Sequence, residues 1–177
     1  KLNNVQTQNV GVLSANGTVN SRFKSTFDGV IWNAKPFRDG SVLVNEGYFT
    51  KLTNKGEYDE SFWFPHGHYP FHGYWIERFD ITSDDKIVVA AKGGVGRFNS
   101  DGSYDESFAG GTVDNWWDTN TTDVDVQDDG KVLYAGYFSQ FYQNSGIPDF
   151  EGFYPNSLLR LTANGEYDHS FYVGDGP

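Results

Sequence analysis

Gly56-Glu57-Tyr58-Asp59-Glu60-Ser61-Phe62 recurs along the chain as Gly102-Ser103-Tyr104-Asp105-Glu106-Ser107-Phe108 and as Gly165-Glu166-Tyr167-Asp168-His169-Ser170-Phe171. A weaker copy, Gly17-Thr18-Val19-Asn20-Ser21-Arg22-Phe23, precedes them. The closing phenylalanines stand 39, 46 and 63 residues apart, so a constant unit is joined by variable linkers. A period in this range means a repeat architecture in which each unit is one supersecondary element. Ahead of each glycine lies a short strand-like run: Val12-Leu13-Ser14, Lys51-Leu52-Thr53, Gly96-Arg97-Phe98 and Leu159-Arg160-Leu161-Thr162. Asn16-Gly17, Asp101-Gly102 and Asn164-Gly165 are then hairpin turns, since these residue types tolerate the positive φ that such turns need; Lys55-Gly56 fills the same place in the remaining copy.

A second hairpin lies upstream in each full unit. Ile31 to Lys35 turns at Asp39-Gly40 into Ser41 to Asn45, Phe79 to Thr82 turns at Asp84-Asp85 into Lys86 to Ala91, and Asp123 to Val126 turns at Asp129-Gly130 into Lys131 to Ala135. The alternation Val124-Asp125-Val126 and the β-branched run Ile87-Val88-Val89 are strand patterns, and no segment has helical periodicity. Two hairpins in series make a four-stranded antiparallel meander, the blade of a β-propeller. The chain is therefore expected to be all-β, a single propeller region over 1–177 with about three full blades plus a partial one. Its repeat units are placed at 1–23 (partial), 24–62, 63–108 and 109–171.

Asp-Gly-Lys-Val-Leu-Tyr-Ala-Gly-Tyr-Phe at 129–138 and Leu-Leu-Arg-Leu-Thr-Ala-Asn-Gly-Glu-Tyr-Asp-His-Ser-Phe at 158–171 carry a family resemblance. They resemble the delta-60 repeat β-propeller family, whose repeats read as an Asp-Gly-Lys hairpin, a Gly-x-Phe, then Arg-Leu-Asn-x-Asp-Gly-x-x-Asp-x-Ser-Phe. Residues 28–171 fit as three full repeats and 11–23 as the tail of another. The departures are Asn20-Ser21-Arg22 in place of Asp-x-Ser, and a turn at Asp84-Asp85 without its glycine. The resemblance implies a structural or binding platform of a phage tail, fibre or other virion protein, or of a bacterial extracellular protein. It brings no catalytic residues with it.

Three inner hairpins against four outer ones are too few for a ring, which usually takes about 4 to 8 blades. The chain has no methionine, so Lys1 is not a translation start. The expectation is a portion of a longer assembly protein, or a chain whose open sheet edges are completed by neighbouring subunits.

Lys and Arg number 13 against 24 Asp and Glu, a net charge of −11, the wrong sign for binding nucleic acid or an anionic membrane. No apolar run approaches the ~20 residues of a spanning helix, and no leader precedes Leu2, so a soluble protein is expected. Without cysteine there are no disulfides, thiolate metal sites or cysteine nucleophiles. With 5 Trp, 11 Tyr, 15 Phe and 21 Gly the composition is that of a folded, turn-rich chain.

In a meander, the connection between the second and third strands and the linker to the next blade emerge at one end. That end receives the irregular insertions 63–75, 109–121 and 139–157, while the other carries short polar turns. From these insertions Trp63, His66, His68, Tyr69, His72, Trp75, Trp116, Trp117, Phe141 and Tyr142 are candidate binding residues. Rigid aromatic side chains give large contact area at small entropic cost. The other reading has Trp63, Phe64, Phe71 and Trp75 folding back as a small core. Phe62, Phe108 and Phe171, with Asp59, Asp105 and Asp168, are expected to be structural anchors, the carboxylates bonding backbone amides at the blade corner.

His66, His68 and His72 invite a metal reading, but match no zinc spacing, and packed or solvated histidines are expected, with no cofactor. Asn99 to Asp105 spaces oxygens faintly like a calcium loop yet lacks its glycine and bidentate glutamate. Asp114 with Asp118, or Asp149 with Glu151, are carboxylate pairs of a kind that so acidic a chain yields by chance. There is no Gly-x-Ser-x-Gly elbow or Walker loop, and Gly93-Gly94-Val95-Gly96 is followed by no helix. The function expected is non-enzymatic: a virion or extracellular module that contacts other subunits of an assembly and a cell-surface glycan or receptor. The alternative is a secreted carbohydrate-binding or carbohydrate-cleaving propeller.

Overall fold

The computed structural model describes residues 9–65, 76–91, 93–113, 121–138, 140–143 and 157–171. Among them there are strands and turns and no helix. The chain divides into two compact units, Lys1–Trp63 and Phe64–Pro177.

In the first unit β1 (Asn33–Pro36), β2 (Val42–Asn45) and β3 (Phe49–Leu52) form an antiparallel sheet in that order. β2 is the middle strand and all four of its residues are buried, while β1 alternates because only one of its faces is covered. Phe23, Phe27, Val42, Val44 and Leu52 build the core with Val10.

The second unit holds β4 (Ile76–Ile81), β5 (Ile87–Ala91), β6 (Gly94–Phe98), β7 (Gly111–Val113), β8 (Thr121–Val126), β9 (Val132–Gly136), β10 (Phe141–Gln143) and β11 (Leu158–Leu161). Every residue of β5 is buried, so it reads as a continuous apolar run. One sheet has the order β10-β7-β6-β5-β4 and another β11-β9-β8, all pairs antiparallel. The inner strands of successive repeats are tied by Asp80 on β4, whose Oδ2 accepts the Val126 amide of β8 at 3.0 Å. The core runs through both sheets, from Val88 and Ala90 to Val124, Tyr134 and Leu159.

Three repeats thus share a three-stranded meander, β1-β2-β3, β4-β5-β6 and β8-β9-β11. The fourth strand expected of each is instead one bridge: Leu52 with Tyr58, Phe98 with Tyr104 and Leu161 with Tyr167, matched by Leu13 with Val19 in the partial copy. The chain bends there because the Asp-x-Ser turn takes the backbone out of register after the aromatic residue. β7 and β10 were not foreseen; they lie in two of the segments read as insertions and extend the β4-β5-β6 sheet. Gly111 permits their approach, since a Cβ there would overlap the Phe141 ring. At the inner turns Gly40 and Gly130 have φ of 84° and 82°, and Asp85 holds the same place at φ 63°. The turn without its glycine forms all the same, because aspartate tolerates the left-handed region better than most residues.

Candidate functional site

The repeated Asp-x-Ser-Phe builds a charged corner on each unit. At Asp105, Oδ1 accepts the Ser107 amide at 3.1 Å and the Ser107 hydroxyl at 2.6 Å. Its Oδ2 accepts Arg97 Nε from β6 and Lys86 Nζ from the residue just before β5, each at 2.7 Å. The Arg97 guanidinium lies 4.6 Å from the centroid of the Phe108 ring. Asp168 repeats this with Ser170, Arg160 Nε at 2.9 Å and Lys131 at 3.2 Å, and Arg160 stands over Phe171 at the same 4.6 Å. In the first unit Asp59 keeps the Ser61 bonds, but Lys51 replaces the arginine and stands 3.6 Å away. Ser41 occupies the place of Lys86 there and bonds Asp39 instead.

The electrostatics follow from this geometry. Burial alone would push the Asp105 carboxyl up, but the bonds from Lys86, Ser107 and Arg97 outweigh it and hold the group well below the usual carboxylate range. At Asp168 the Ser170 hydroxyl is the main cause, working against burial and assisted by Lys131 and Arg160, with the same result. The Ser61 hydroxyl lowers Asp59, with Lys51 a lesser contributor. A carboxylate so held accepts hydrogen bonds and has no proton to give. The lysine and arginine partners were not singled out from the sequence, although the lysine after the inner turn and the arginine before the outer one recur together in the second and third repeats.

The anchor phenylalanines differ. Phe108 is 2% exposed, whereas Phe62 and Phe171 are half-buried rather than enclosed. Phe108 is covered because the next repeat's outer turn lies on it. Arg97 Nη1 donates to the Ala163 carbonyl at 2.7 Å, and the Ala109 amide donates to the Asn164 carbonyl at 2.8 Å. A Cβ on Gly165, whose φ is +82°, would stand 2.7 Å from the Gly110 nitrogen and 2.8 Å from the Phe108 ring.

Of the aromatic candidates, Trp63 is 69% exposed and Tyr142 partly exposed. Phe141, expected on the binding surface, is fully buried in the core; as the edge strand β10 pairs with β7, successive side chains alternate inward and outward. The two readings of the 63–75 segment divide by residue, for Phe64 is buried with its ring 4.4 Å from that of Phe98. His66, His68, Tyr69, His72, Trp75, Trp116 and Trp117 lie outside the described residues, as do Phe71, Asp114, Asp118, Asp149 and Glu151. Trp32 (54% exposed) and Tyr48 in the first unit and Tyr137 (74%) in the second are exposed residues that sequence reading missed. Trp32 and Tyr48 flank the strand ends Asn33, Asn45 and Phe49, and Tyr137 directly follows β9, so all three sit where the second strand passes to the third. Tyr137 beside buried Phe138 was legible as a strand alternation.

In the 99–105 segment Asp101 Oδ1 accepts the Ser103 amide and hydroxyl, and Asp105 is turned to Arg97 and Lys86. These oxygens are spent on the turn itself. Gly94 belongs to β6 and brings the strand against the Gly111 carbonyl.

Residues 82–108 and 127–171 match a family model described as a domain of unknown function (DUF5122) beta-propeller. Both stretches lie in the second unit and end on the phenylalanine of its two charged corners. No curated protein matches the chain. The protein is accordingly built of propeller-type β repeats, each closed by an Asp-x-Ser-Phe corner or, in the first copy, its remnant.

Proposed function

We propose that the protein is a non-enzymatic binding and assembly module of the delta-60 repeat kind, carried by a phage tail or fibre or by a bacterial surface protein. The carrying observation is the exposure of Trp32, Tyr48 and Tyr137 where second strands pass to third strands, with Trp63 exposed after its corner. The opposite strand ends carry short polar turns such as Asp39-Gly40 and Asp129-Gly130. Exposed indole and phenol rings stack on sugars or fill partner pockets at little entropic cost. The virion or surface setting rests on the repeat resemblance, and the recurrent aspartates, engaged by cations and serines, act as structure rather than as acids.

Intrinsic tryptophan fluorescence, titrated with a panel of cell-surface glycans, tests the reading. A response lost in Trp32→Ala or Trp63→Ala is expected, with thermal stability unchanged. A response retained in both variants would remove these two from the binding surface. No response to glycans, with binding to purified particle subunits instead, would favour assembly over receptor contact. The secreted carbohydrate-binding alternative is favoured by the same exposed indoles, and finding the chain in culture supernatant but absent from purified particles would select it.

A further inference from the structure

The inner strand of each repeat carries one residue more than the strand it pairs with, and always at the same place. In the second repeat Ile76 faces Ala91 and Arg78 faces Ala90, so Glu77 is the extra residue; in the third, Thr121 faces Gly136 and Asp123 faces Ala135, which leaves Thr122. In the first repeat Asn45 is shared, for it pairs with Asn33 and its carbonyl accepts the Trp32 amide at 2.8 Å. Trp32, Glu77 and Thr122 stand equally far ahead of Phe37, Thr82 and Gln127, whose amides close the inner turns. A β-bulge bends its strand and re-aims a side chain, and bulges gather beside functional sites. In the first repeat the residue so placed is an indole, exposed to solvent.

The carboxylate beside it differs from those of the charged corners. Asp59, Asp105 and Asp168 each meet a lysine or an arginine. Glu46, partly buried just after β2, has no ion pair among the described residues. Its Oε1 accepts the Thr50 hydroxyl at 3.0 Å, while its Oε2 accepts no hydrogen bond among them and is open to solvent. The group is seated where Gly29 has no side chain, since a Cβ there would stand 2.5 Å from Oε2. Thr50 and Gly29 thus fix a carboxylate with one oxygen left to give. Trp32 and Tyr48 flank it along the backbone: the Trp32 amide bonds the residue before Glu46, and the Glu46 amide donates to the Tyr48 carbonyl at 3.1 Å.

We propose that Glu46 is a cation-accepting subsite of the binding surface and that its ligand is a sugar residue with a free amino group. The ammonium meets Glu46 Oε2, and the apolar face of the sugar ring stacks on Trp32 or Tyr48. An ammonium supplies the charge that this carboxylate lacks, and the net charge of −11 draws cations toward the surface. Two exposed rings offer more flat area than a bare ammonium needs, which favours one carried on a sugar. The inference rests on the glycan-binding reading above and names the class of sugar that the site takes.

Isothermal titration of the whole chain with a glucosamine oligomer and with its N-acetylated counterpart tests it, at low salt and mildly acidic pH, where the sugar amines are protonated. The amino oligomer is expected to bind about tenfold or more tightly than the acetylated one. That preference should shrink as salt is added, which reads the charge without any substitution. Glu46→Gln keeps an oxygen for Thr50 and removes the charge, so it should erase the preference with the thermal midpoint unchanged, whereas Trp32→Ala should weaken both oligomers. Equal binding of the two oligomers, or a preference that survives Glu46→Gln, overturns the inference and leaves the glycan reading standing. Binding of neither oligomer overturns it as well, and only the silence of the whole glycan panel would remove the reading with it. Nα-acetyl-lysine amide bound as tightly as the amino oligomer would overturn the sugar assignment in favour of a lysine on a protein partner.

Discussion

Gly17 and Gly56 occupy equivalent turns with φ of +80° and +91°, and differ in what surrounds them. Replacing Gly17 by alanine brings only the left-handed strain of a β-carbon, about 1 kcal/mol. At Gly56 the same change also drives a carbon into the Lys24–Ser25 backbone, and the expected loss rises to about 2 to 4 kcal/mol. Chemical denaturation of the two variants measures the difference, and equal losses would contradict the close approach. The charged corners set the acid limb of stability. Asp105 and Asp168 have carboxyl groups lowered from the ordinary value of 3.8. The unfolded chain therefore binds more protons below that value, and their contribution, complete at neutral pH, is lost as pH falls through about 4 and downward. Asp105→Asn leaves Lys86 and Arg97 without their carboxylate. It is expected to cost about 2 to 3 kcal/mol at neutral pH and to flatten the dependence of the denaturation midpoint on pH below about 4. An acid limb as steep as that of the unaltered chain would reassign the effect to other groups.

Among the elements, β4 and β8 illustrate how repeats join without a shared ladder. The Val126 amide points away from β9 and is held by the Asp80 carboxylate. Asp80→Ala is therefore expected to lower hydrogen-exchange protection at Val126 selectively, while amides paired between β8 and β9 keep theirs; uniform loss would mean that the whole sheet depends on the carboxylate. β10 gives a second contrast through its inward and outward faces. Phe141→Ala removes a fully buried ring and should cost about 3 to 5 kcal/mol, whereas Tyr142→Ala should stay within about 0.5 kcal/mol. A thermal or denaturant series on the pair decides whether β10 is part of the core sheet. The strands themselves were legible, since Ile87-Val88-Val89 and Val124-Asp125-Val126 alternate or run apolar as strands must. β7 and β10 were not, because a three-residue strand is too short to show a period and is defined by the partner it meets.

At the scale of the whole molecule, 24 acids against 13 bases spread repulsion over the exposed surface, while the corner pairs are partly buried and screened less by salt. Added sodium chloride is therefore expected to raise the thermal midpoint at neutral pH, by an amount corresponding to about 0.5 to 1 kcal/mol. A falling midpoint would show that the corner ion pairs, rather than the general repulsion, dominate.

The repeat, its antiparallel hairpins and its turn chemistry were determined by the sequence alone, because glycine, aspartate and β-branched residues act through local sterics that need no partner. The aspartates of Asp-x-Ser-Phe were likewise readable as corner residues, their serine lying two positions away. Which cations reach them was decided by tertiary structure, since Lys86 precedes β5 and Arg97 lies on β6, and both meet Asp105 only once the meander forms. The same holds for the contrast between enclosed Phe108 and half-buried Phe171, which have the same local motif. Phe108 is enclosed because the outer turn of the third repeat lies on it, and that is a property of neighbours in space.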